Sequence, residues 1–415
     1  MIKLQVTPGL DFPGHNPSAA RGFSMKSAVN TTQDLRFRSR ALLLTQLRQH
    51  AASRAELSQK TGLAKSAVTT IVSELIRDGI VEECSVTAAA RAGRPAILLD
   101  ITPGQLFAVG LILNRSSTLL CAVDLKGNVL RQQQTPSDAF ASQEACTAWI
   151  FETVDGWFAD DATPRSNCIG FSVGAAGPVD REHGMIRNPP DFQRFHNYPI
   201  AVLLRQRYEL PVSFENVAVL FAQAEYLRGT MGAYRHTLFL FWVENGIGSV
   251  ILNDGSVYRG FGSFSGEIGH TCVVPGGMAC GCGNHGCLEV YLKQEAVEAR
   301  FGPFNQRLAL RGEGPHASEI LDYYVQHLGT ALCNAVNMFD PDSICLYLGD
   351  TETPDGFLRR LSQYLQTHAV ICQSHPVALL HGSIPYAAPA AAAVSPLMSL
   401  FFQRGGNLSD LMKKE

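Results

Sequence analysis

The chain has 415 residues, 46% of them hydrophobic and 17% charged, with a formal net charge of −3. This supplies core for two or three globular units, and no stretch reaches the roughly 18 uninterrupted apolar residues of a membrane span. The opening MIKLQVTPGLDFPGH has neither a cationic lead into an apolar run nor a small-residue cleavage site, so the expected location is cytoplasmic, with no membrane partner.

The eleven cysteines are an odd number, and Cys84, Cys121, Cys168, Cys333 and Cys345 sit among apolar residues, so no disulfide framework is expected. Charge is uneven: residues 1–100 carry thirteen Lys or Arg against eight Asp or Glu, and the remainder is acidic. A basic end suits a nucleic-acid module joined to a domain with another task.

Residues 1–32 are rich in Gly, Pro, Ser and Asn without periodicity and read as a flexible tail; Met25 is an alternative translation start. From Asp34, Leu43, Leu44 and Leu47 recur at helical spacing through about His50. Ser53 and Glu56 form a capping-box pattern for a second helix that Gly62 ends. A third helix is expected over about Lys65 to Arg77, where Val68, Ile71, Val72 and Leu75 make one buried stripe. Its other face carries Lys65, Ser66, Thr69, Thr70 and Ser73, short donors and acceptors that suit a helix entering a major groove. IVEEC and AILLDI then read as two strands around TAAARAGRP, whose Arg91 and Arg94 make a basic wing. The expectation for 33–100 is a winged helix-turn-helix that binds DNA, rather than a plain helical bundle. Arg94, between Gly93 and Pro95, either reaches a minor groove or is a solvated loop cation.

From about Gln105 the texture is α/β. FAVGLIL, TLLCAVDL, CIGFSVGAAG, TLFLFWV and SICLYLG are short apolar runs bounded by Gly or Asp, alternating with helical segments near 142–158, 216–228 and 316–338. Two lobes are expected, 101–212 with a C-terminal helix in 390–415, and 213–389. RNPPDFQRFHNYP reads as a loop at the cleft between them.

The run GEIGHTCVVPGGMACGCGNHGCLE, Gly266 to Glu289, crowds four cysteines and two histidines among glycines. Cys280, Cys282 and Cys287 lie within eight residues, and Gly281, Gly283 and Gly286 let three thiolates converge. His270 is the preferred fourth ligand over Cys272 and over His285, which is confined within the tight loop. Zinc is the natural occupant, and four protein ligands make it structural.

Glu267-Ile-Gly-His270, Cys280-Gly-Cys282 through Cys287-Leu-Glu289, and the preceding NGIGSVILNDG and VYRGFGSFSG resemble the signature of the ROK family of sugar kinases, unlabelled reading frames and transcriptional repressors. The resemblance runs from about Gln33 to the C-terminus, and a winged helix ahead of the ROK domain is similar to the repressor branch. It implies a two-lobed actin-like ATPase fold with a sugar cleft, zinc on His270, Cys280, Cys282 and Cys287, and sugar bound by Asn216, Glu267, His270 and Glu289. Glu267 and Glu289 have an alternative role as orienting partners of the metal site.

Two departures from the family's kinases bear on activity. Their E-N-D motif carries the base that takes the sugar hydroxyl proton, and ENVAVLFAQAEY at Glu215 to Tyr226 puts Val217 there. Valine accepts no proton. Where ATP-binding members resemble D-x-G-G-T-K, this chain has Ile112-Leu-Asn-Arg-Ser-Ser117. The expectation is therefore no enzyme activity but a repressor acting on palindromic operator DNA as a dimer or tetramer, released by a sugar or sugar phosphate. The alternatives are a sugar kinase using Glu215 as base, and a repressor read by a phosphotransferase protein.

Overall fold

A computed structural model describes residues 32–84, 97–114, 117–177, 179–187, 195–243, 246–261, 265–349, 353–386 and 389–408. Residues 1–31 of the tail expected over 1–32, the wing with Arg91 and Arg94, and most of the Pro-rich loop lie outside the described residues, and Thr32 opens the first helix instead.

The N-terminal unit consists of α1 (Thr32–Gln49), β1 (Ala52–Ser53), α2 (Arg54–Thr61), α3 (Lys65–Arg77), β2 (Val81–Cys84) and β3 (Leu98–Ile101). The capping box on α2 forms, with Ser53 Oγ accepting from the Glu56 amide and the Glu56 carboxylate accepting from the Ser53 amide; Gly62 closes the helix in the left-handed region at φ 73°. The three strands pair antiparallel in the order β1-β3-β2. This is a winged helix-turn-helix core, and the stripe Val68, Ile71, Val72 and Leu75 is buried as expected.

Two five-stranded sheets follow with one topology. The first comprises β4 (Phe107–Leu113), β5 (Ser117–Asp124), β6 (Val129–Pro136), β7 (Cys168–Ala175) and, beyond the hairpin of β8 (Val179–Asp180) and β9 (Met185–Ile186), β10 (Val212–Asn216). Its order is β10-β7-β4-β5-β6, an antiparallel meander with two parallel strands added. Helices α4 (Gln143–Phe158) and α5 (Ile200–Tyr208) make the crossovers, and α6 (Val217–Arg228) leaves β10 for the second lobe.

The second sheet repeats the scheme with β11 (His236–Val243), β12 (Gly246–Asn253) and β13 (Ser256–Tyr258). After α7 (Leu288–Leu292), α8 (Gln294–Phe301) and α9 (Gln306–Leu310), the crossover helices α10 (Ala317–Phe339) and α11 (Asp355–His368) deliver β14 (Ser343–Tyr347) and β15 (Ala378–His381). The order is β13-β12-β11-β14-β15. The expected lobe boundary at 212 is corrected: β10 pairs with β7 over Val212 to Asn216, because its backbone completes the first sheet.

Finally α12 (Ala390–Ala393) and α13 (Ser395–Gln403) return to the first lobe. A Cβ on Gly110 of β4 would meet Ala393 Cβ at 2.6 Å, so α12 lies directly on that sheet. One continuous core joins Leu43, Leu44 and Leu47 of α1 to Phe401 and Phe402 of α13 and to Leu220 and Phe221 of α6. Arg40, only 7% exposed, pins this junction: its Nε donates to the Gly405 carbonyl at 2.7 Å and its Nη2 to Asp78 at 2.7 Å, with Glu74 of α3 at 3.4 Å. The winged unit is thus built into the first lobe, not tethered beside it.

Candidate functional site

Three places carry chemistry. On α3, Lys65, Ser66, Thr69, Thr70 and Ser73 are all exposed on the face opposite the buried stripe. Three hydroxyls bond back along the helix, Thr69 to the Lys65 carbonyl at 2.9 Å, Thr70 to Ser66 at 3.1 Å and Ser73 to Thr69 at 2.9 Å. Their lone pairs stay outward. Glu74, on the same helix, is buried against Arg36 and Arg40, so α3 is oriented from behind by ion pairs.

The second place is the cysteine loop. Gly286, at φ 78°, lies where a Cβ would meet the Val274 carbonyl oxygen at 1.8 Å, and Gly269 where it would meet the Ile247 carbonyl oxygen at 2.4 Å. These approaches fold the loop on itself and seat the turn Ile268–His270 on β12. The ligand atoms of His270, Cys280, Cys282 and Cys287 lie within 4.8 Å of one another. Cys280 Sγ to His270 Nδ1 and Cys282 Sγ to Cys287 Sγ are both 3.7 Å. A tetrahedral centre with metal–sulfur bonds of about 2.3 Å has sulfur–sulfur edges of about 3.8 Å, so the four residues fit a metal.

Cys272 and His285 are exposed and cross-strand from Cys287 and Ala279, and neither joins the group. Burial and the neighbouring thiols push the Cys287 thiol up to about 12, while the Asn284 backbone amide leads in lowering Cys282. All eleven cysteines are free thiols.

The third place is a cavity of about 300 Å³ between the lobes, lined by Asn216, Val217, Glu267, His270 and Glu289 together with Arg181, Glu215 and Arg259. Glu267 and His270 come from the turn on β12 and Glu289 from α7, so the metal loop builds the wall of the second lobe. The Glu267 carboxyl keeps solvent contact, yet desolvation in the cleft raises it above the usual carboxylate range, with Glu289 adding and His270 opposing. Glu289 takes Lys293 at 3.2 Å.

Asn216 is partly committed: its Oδ1 caps α6 by accepting from the Ala218 amide at 2.8 Å, and its Nδ2 donates to the Gly177 carbonyl at 2.8 Å. Val217, the first residue of α6, is 7% exposed.

Sequence reasoning named Glu215 as an alternative kinase base but did not foresee two features of this cleft, the first being the two arginines on that carboxylate. Glu215, 3% exposed, is held by Arg259 at 2.5 Å and Arg181 at 3.0 Å. Burial lowers the Arg181 guanidinium from its ordinary value, and Glu215 opposes that shift. The other is an aromatic cluster between the lobes. Phe221 of α6 meets Phe241, Tyr347 and Tyr386 at ring separations of 5.6, 5.0 and 5.5 Å, and Phe241 stacks on Tyr347 at 5.4 Å. Tyr386 Oη accepts from Asn114 Nδ2 at 3.4 Å, just beyond the end of β4.

Paired five-stranded sheets with a cleft and a Cys/His loop between them, behind a winged helix, define a sugar-kinase-like domain fused to a DNA-binding module. The chain belongs to the ROK family, whose profile matches residues 109–392, and a winged helix-turn-helix DNA-binding profile matches residues 50–82. It is similar to the DNA-binding transcriptional dual regulator NagC of Escherichia coli, 26% identical over 336 residues covering 77% of this chain and 82% of that protein. It is also similar to the xylose repressor of Bacillus subtilis, 24% identical over 367 residues, 87% of this chain and 94% of that one.

Among solved structures, a ROK family transcriptional regulator homologous to the Escherichia coli Mlc protein superposes with a TM-score of 0.74 over 92% of this chain and all of its own, at 22% identity. A ROK hexokinase from Thermus thermophilus superposes with a TM-score of 0.59 over 71% of this chain and 99% of its own, at 26% identity. The smaller share matched there reflects the winged unit, which lies outside the ROK profile. Among the described residues no helix is long and apolar enough to cross a membrane.

Proposed function

We propose that the chain is a sugar-responsive DNA-binding transcriptional repressor of the cytoplasm, in which a sugar-kinase domain without kinase activity serves as effector sensor. The observation that carries this reading is the shared core: α6, whose first turn lines the cleft, packs on α13, which packs on α1, and Arg40 ties both to α3. A cleft and a recognition helix that share side chains are coupled through packing, and an effector that changes one changes the other by the same free energy.

Loss of the kinase step is supported by Val217 at the base position. Glu215 is not free to substitute, because Arg181 at 3.0 Å and Arg259 at 2.5 Å both engage its carboxylate. The aromatic rings of Phe221, Phe241, Tyr347 and Tyr386 occupy space beside the altered phosphate turn.

Zinc is the metal whose ordinary structural ligand set is three thiolates and an imidazole, and it would fix the turn that presents Glu267 and His270. Bound there it supplies a structural cross-link and no reactive water. Sugar hydroxyls would be taken by Glu267, His270 and Glu289, with the free lone pair and N–H of Asn216. A route through the zinc loop to the winged unit is the less direct one, because Cys280 and Cys287 belong to the core of the second lobe, which contains no winged-unit residue.

Lys65, Ser66, Thr69, Thr70 and Ser73 would read a palindromic operator from two copies of α3 in a homodimer or tetramer, with Arg91 and Arg94 in the wing. Mobility shifts of the full-length protein on operator DNA with sugars test this. Release by a sugar is expected; binding released only by a phosphotransferase protein would replace the sugar as effector, and sugar-dependent ATP consumption would overturn the reading.

A further inference from the structure

The seam between the winged unit and the first lobe brings two arginines together. Arg48 stands in the last turn of α1 and Arg228 is the last residue of α6, and both are partly buried. The Arg48 guanidinium lies over the Phe402 ring of α13, 5.9 Å from its centroid. That of Arg228 lies against the β5–β6 turn, where a Cβ on Gly127 would meet its Cζ at 2.7 Å.

Among the described residues neither guanidinium has a hydrogen-bond acceptor or an ion-pair partner, and Nε of Arg48 and Nη1 of Arg228 are buried atoms. Buried N–H groups ordinarily find acceptors, and buried charges are ordinarily paired. Burial lowers both guanidinium groups from their ordinary values, and the charge of Arg48 lowers Arg228 further.

The groups that act on this pair do not balance it. Tyr226 faces Arg48, but burial raises its phenol above the usual range, so it is neutral at pH 7. Asp124 acts on Arg228 without pairing with it, because its two oxygens already accept from the Gly104, Lys126 and Asn128 amides and from Asn128 Nδ2, at 2.8 to 2.9 Å. The negative ends of the α1 and α6 dipoles offset part of the charge, yet neither side chain donates to a helix-end carbonyl. Two like charges in one poorly solvated place call for an anion that carries two negative charges.

We infer that Arg48 and Arg228 form a binding site for a small tetrahedral oxyanion, inorganic phosphate or sulfate, at the seam between the winged unit and the first lobe. Guanidinium groups hold such oxyanions with strong, paired, charge-assisted hydrogen bonds. The buried donor atoms suit a free ion rather than the ester of a large molecule. Bound there, the ion joins the end of α1 to the end of α6, whose opposite end lines the cleft, and so tightens the winged unit onto the lobe. The site is separate from the cleft and stands without the sensor reading.

The test is calorimetry and thermal melting of the full-length protein at fixed ionic strength, with phosphate, sulfate and chloride titrated separately. Phosphate or sulfate is expected to bind at least about tenfold more tightly than chloride, and Arg48→Met and Arg228→Met should each weaken that binding at least about tenfold. Saturating ion should raise the melting temperature of the parent by about 2–4 °C more than that of either variant. Phosphate and sulfate stabilise proteins generally by exclusion from their surfaces, so the difference between parent and variant is the reading. Without the ion, both variants are expected to melt no lower than the parent, since each removes one of two like charges and keeps the apolar stem.

Absence of binding by either oxyanion, affinity unchanged in both variants, or equal melting shifts in parent and variants would each overturn the site. Both variants melting well below the parent without the ion would overturn it too, by showing the cations already balanced. None of these results bears on release of DNA by a sugar, which tests the sensor reading by itself.

Discussion

Replacing Arg40 with methionine keeps the apolar stem and removes the guanidinium that ties α1, α3 and the C-terminal segment together. Three partners are lost: the Gly405 carbonyl at 2.7 Å, Asp78 at 2.7 Å and Glu74 at 3.4 Å. Removing one member of a buried ion pair costs about 3–5 kcal/mol. Here Asp78 is 35% exposed and Arg36 still holds Glu74, so solvent and the remaining cation compensate in part and about 2–3 kcal/mol is expected. That matches the size of a typical allosteric coupling energy, about 1–3 kcal/mol.

The expected outcome is therefore specific. In fluorescence anisotropy on an operator duplex selected from a random pool, Arg40→Met should bind DNA within about threefold of the parent but lose most of the effector-driven release, a coupling ordinarily of about 5–150-fold. Arg36→Met, which touches Glu74 but not Gly405, is the control; its side chain is 54% exposed, so at most about 1 kcal/mol and no loss of coupling is expected. Full effector response in Arg40→Met, with the junction shown by hydrogen exchange to have loosened, would refute coupling through α13 and α1.

Further outcomes follow from the other sites. Cys280→Ser should lower bound zinc from one per chain to near zero by atomic absorption and weaken the effector more than about tenfold, while operator binding without effector persists; unchanged effector affinity would detach the metal loop from sugar binding. Lys65→Ala should weaken operator binding and reduce the slope of log affinity against log salt by about one, the signature of a single phosphate contact; an unchanged slope would remove Lys65 from the interface.

Asp180 gives a pH prediction. Burial alone would raise its carboxyl, but the His183 amide at 3.0 Å and the Arg187 guanidinium outweigh that and hold it at about 2. A carboxyl depressed in the folded state contributes stability that is complete above its unfolded value near 4 and is lost as pH falls from there toward 2. Asp180→Asn should cost about 1–2 kcal/mol at pH 7 in urea unfolding and flatten the acid side of the profile between about pH 4 and 2; an unaltered profile would contradict it.

The N-terminal unit was legible because its signals are local. The stripe of α3, the Ser53 and Glu56 cap and the Gly62 stop each lie within one turn or two, and α3 spans Lys65 to Arg77 as its periodicity predicts. The metal cluster was legible for the same reason, since Cys280, Cys282, Cys287 and the glycines that fold them are neighbours in sequence.

What escaped sequence reasoning depends on long-range pairing. The edge strand β6, VLRQQQTP, is polar over most of its length because its backbone is held by β5 while its side chains meet solvent, so no alternation marks it. β10 is five residues long, and only its pairing with β7 assigns it to the first sheet. Buried Arg40 and Glu74 read as surface charges until partners 34 or more residues away are known. Tyr386 meets Phe221 only after the second lobe closes on α6.

The most direct test of the central claim is a mobility shift of the full-length protein on its selected operator, titrated with free and phosphorylated sugars, with ATP turnover followed in the same samples. Specific binding, release by one sugar ligand and no sugar-dependent ATP consumption are expected. Sugar-dependent ATP turnover without specific DNA binding would contradict that claim.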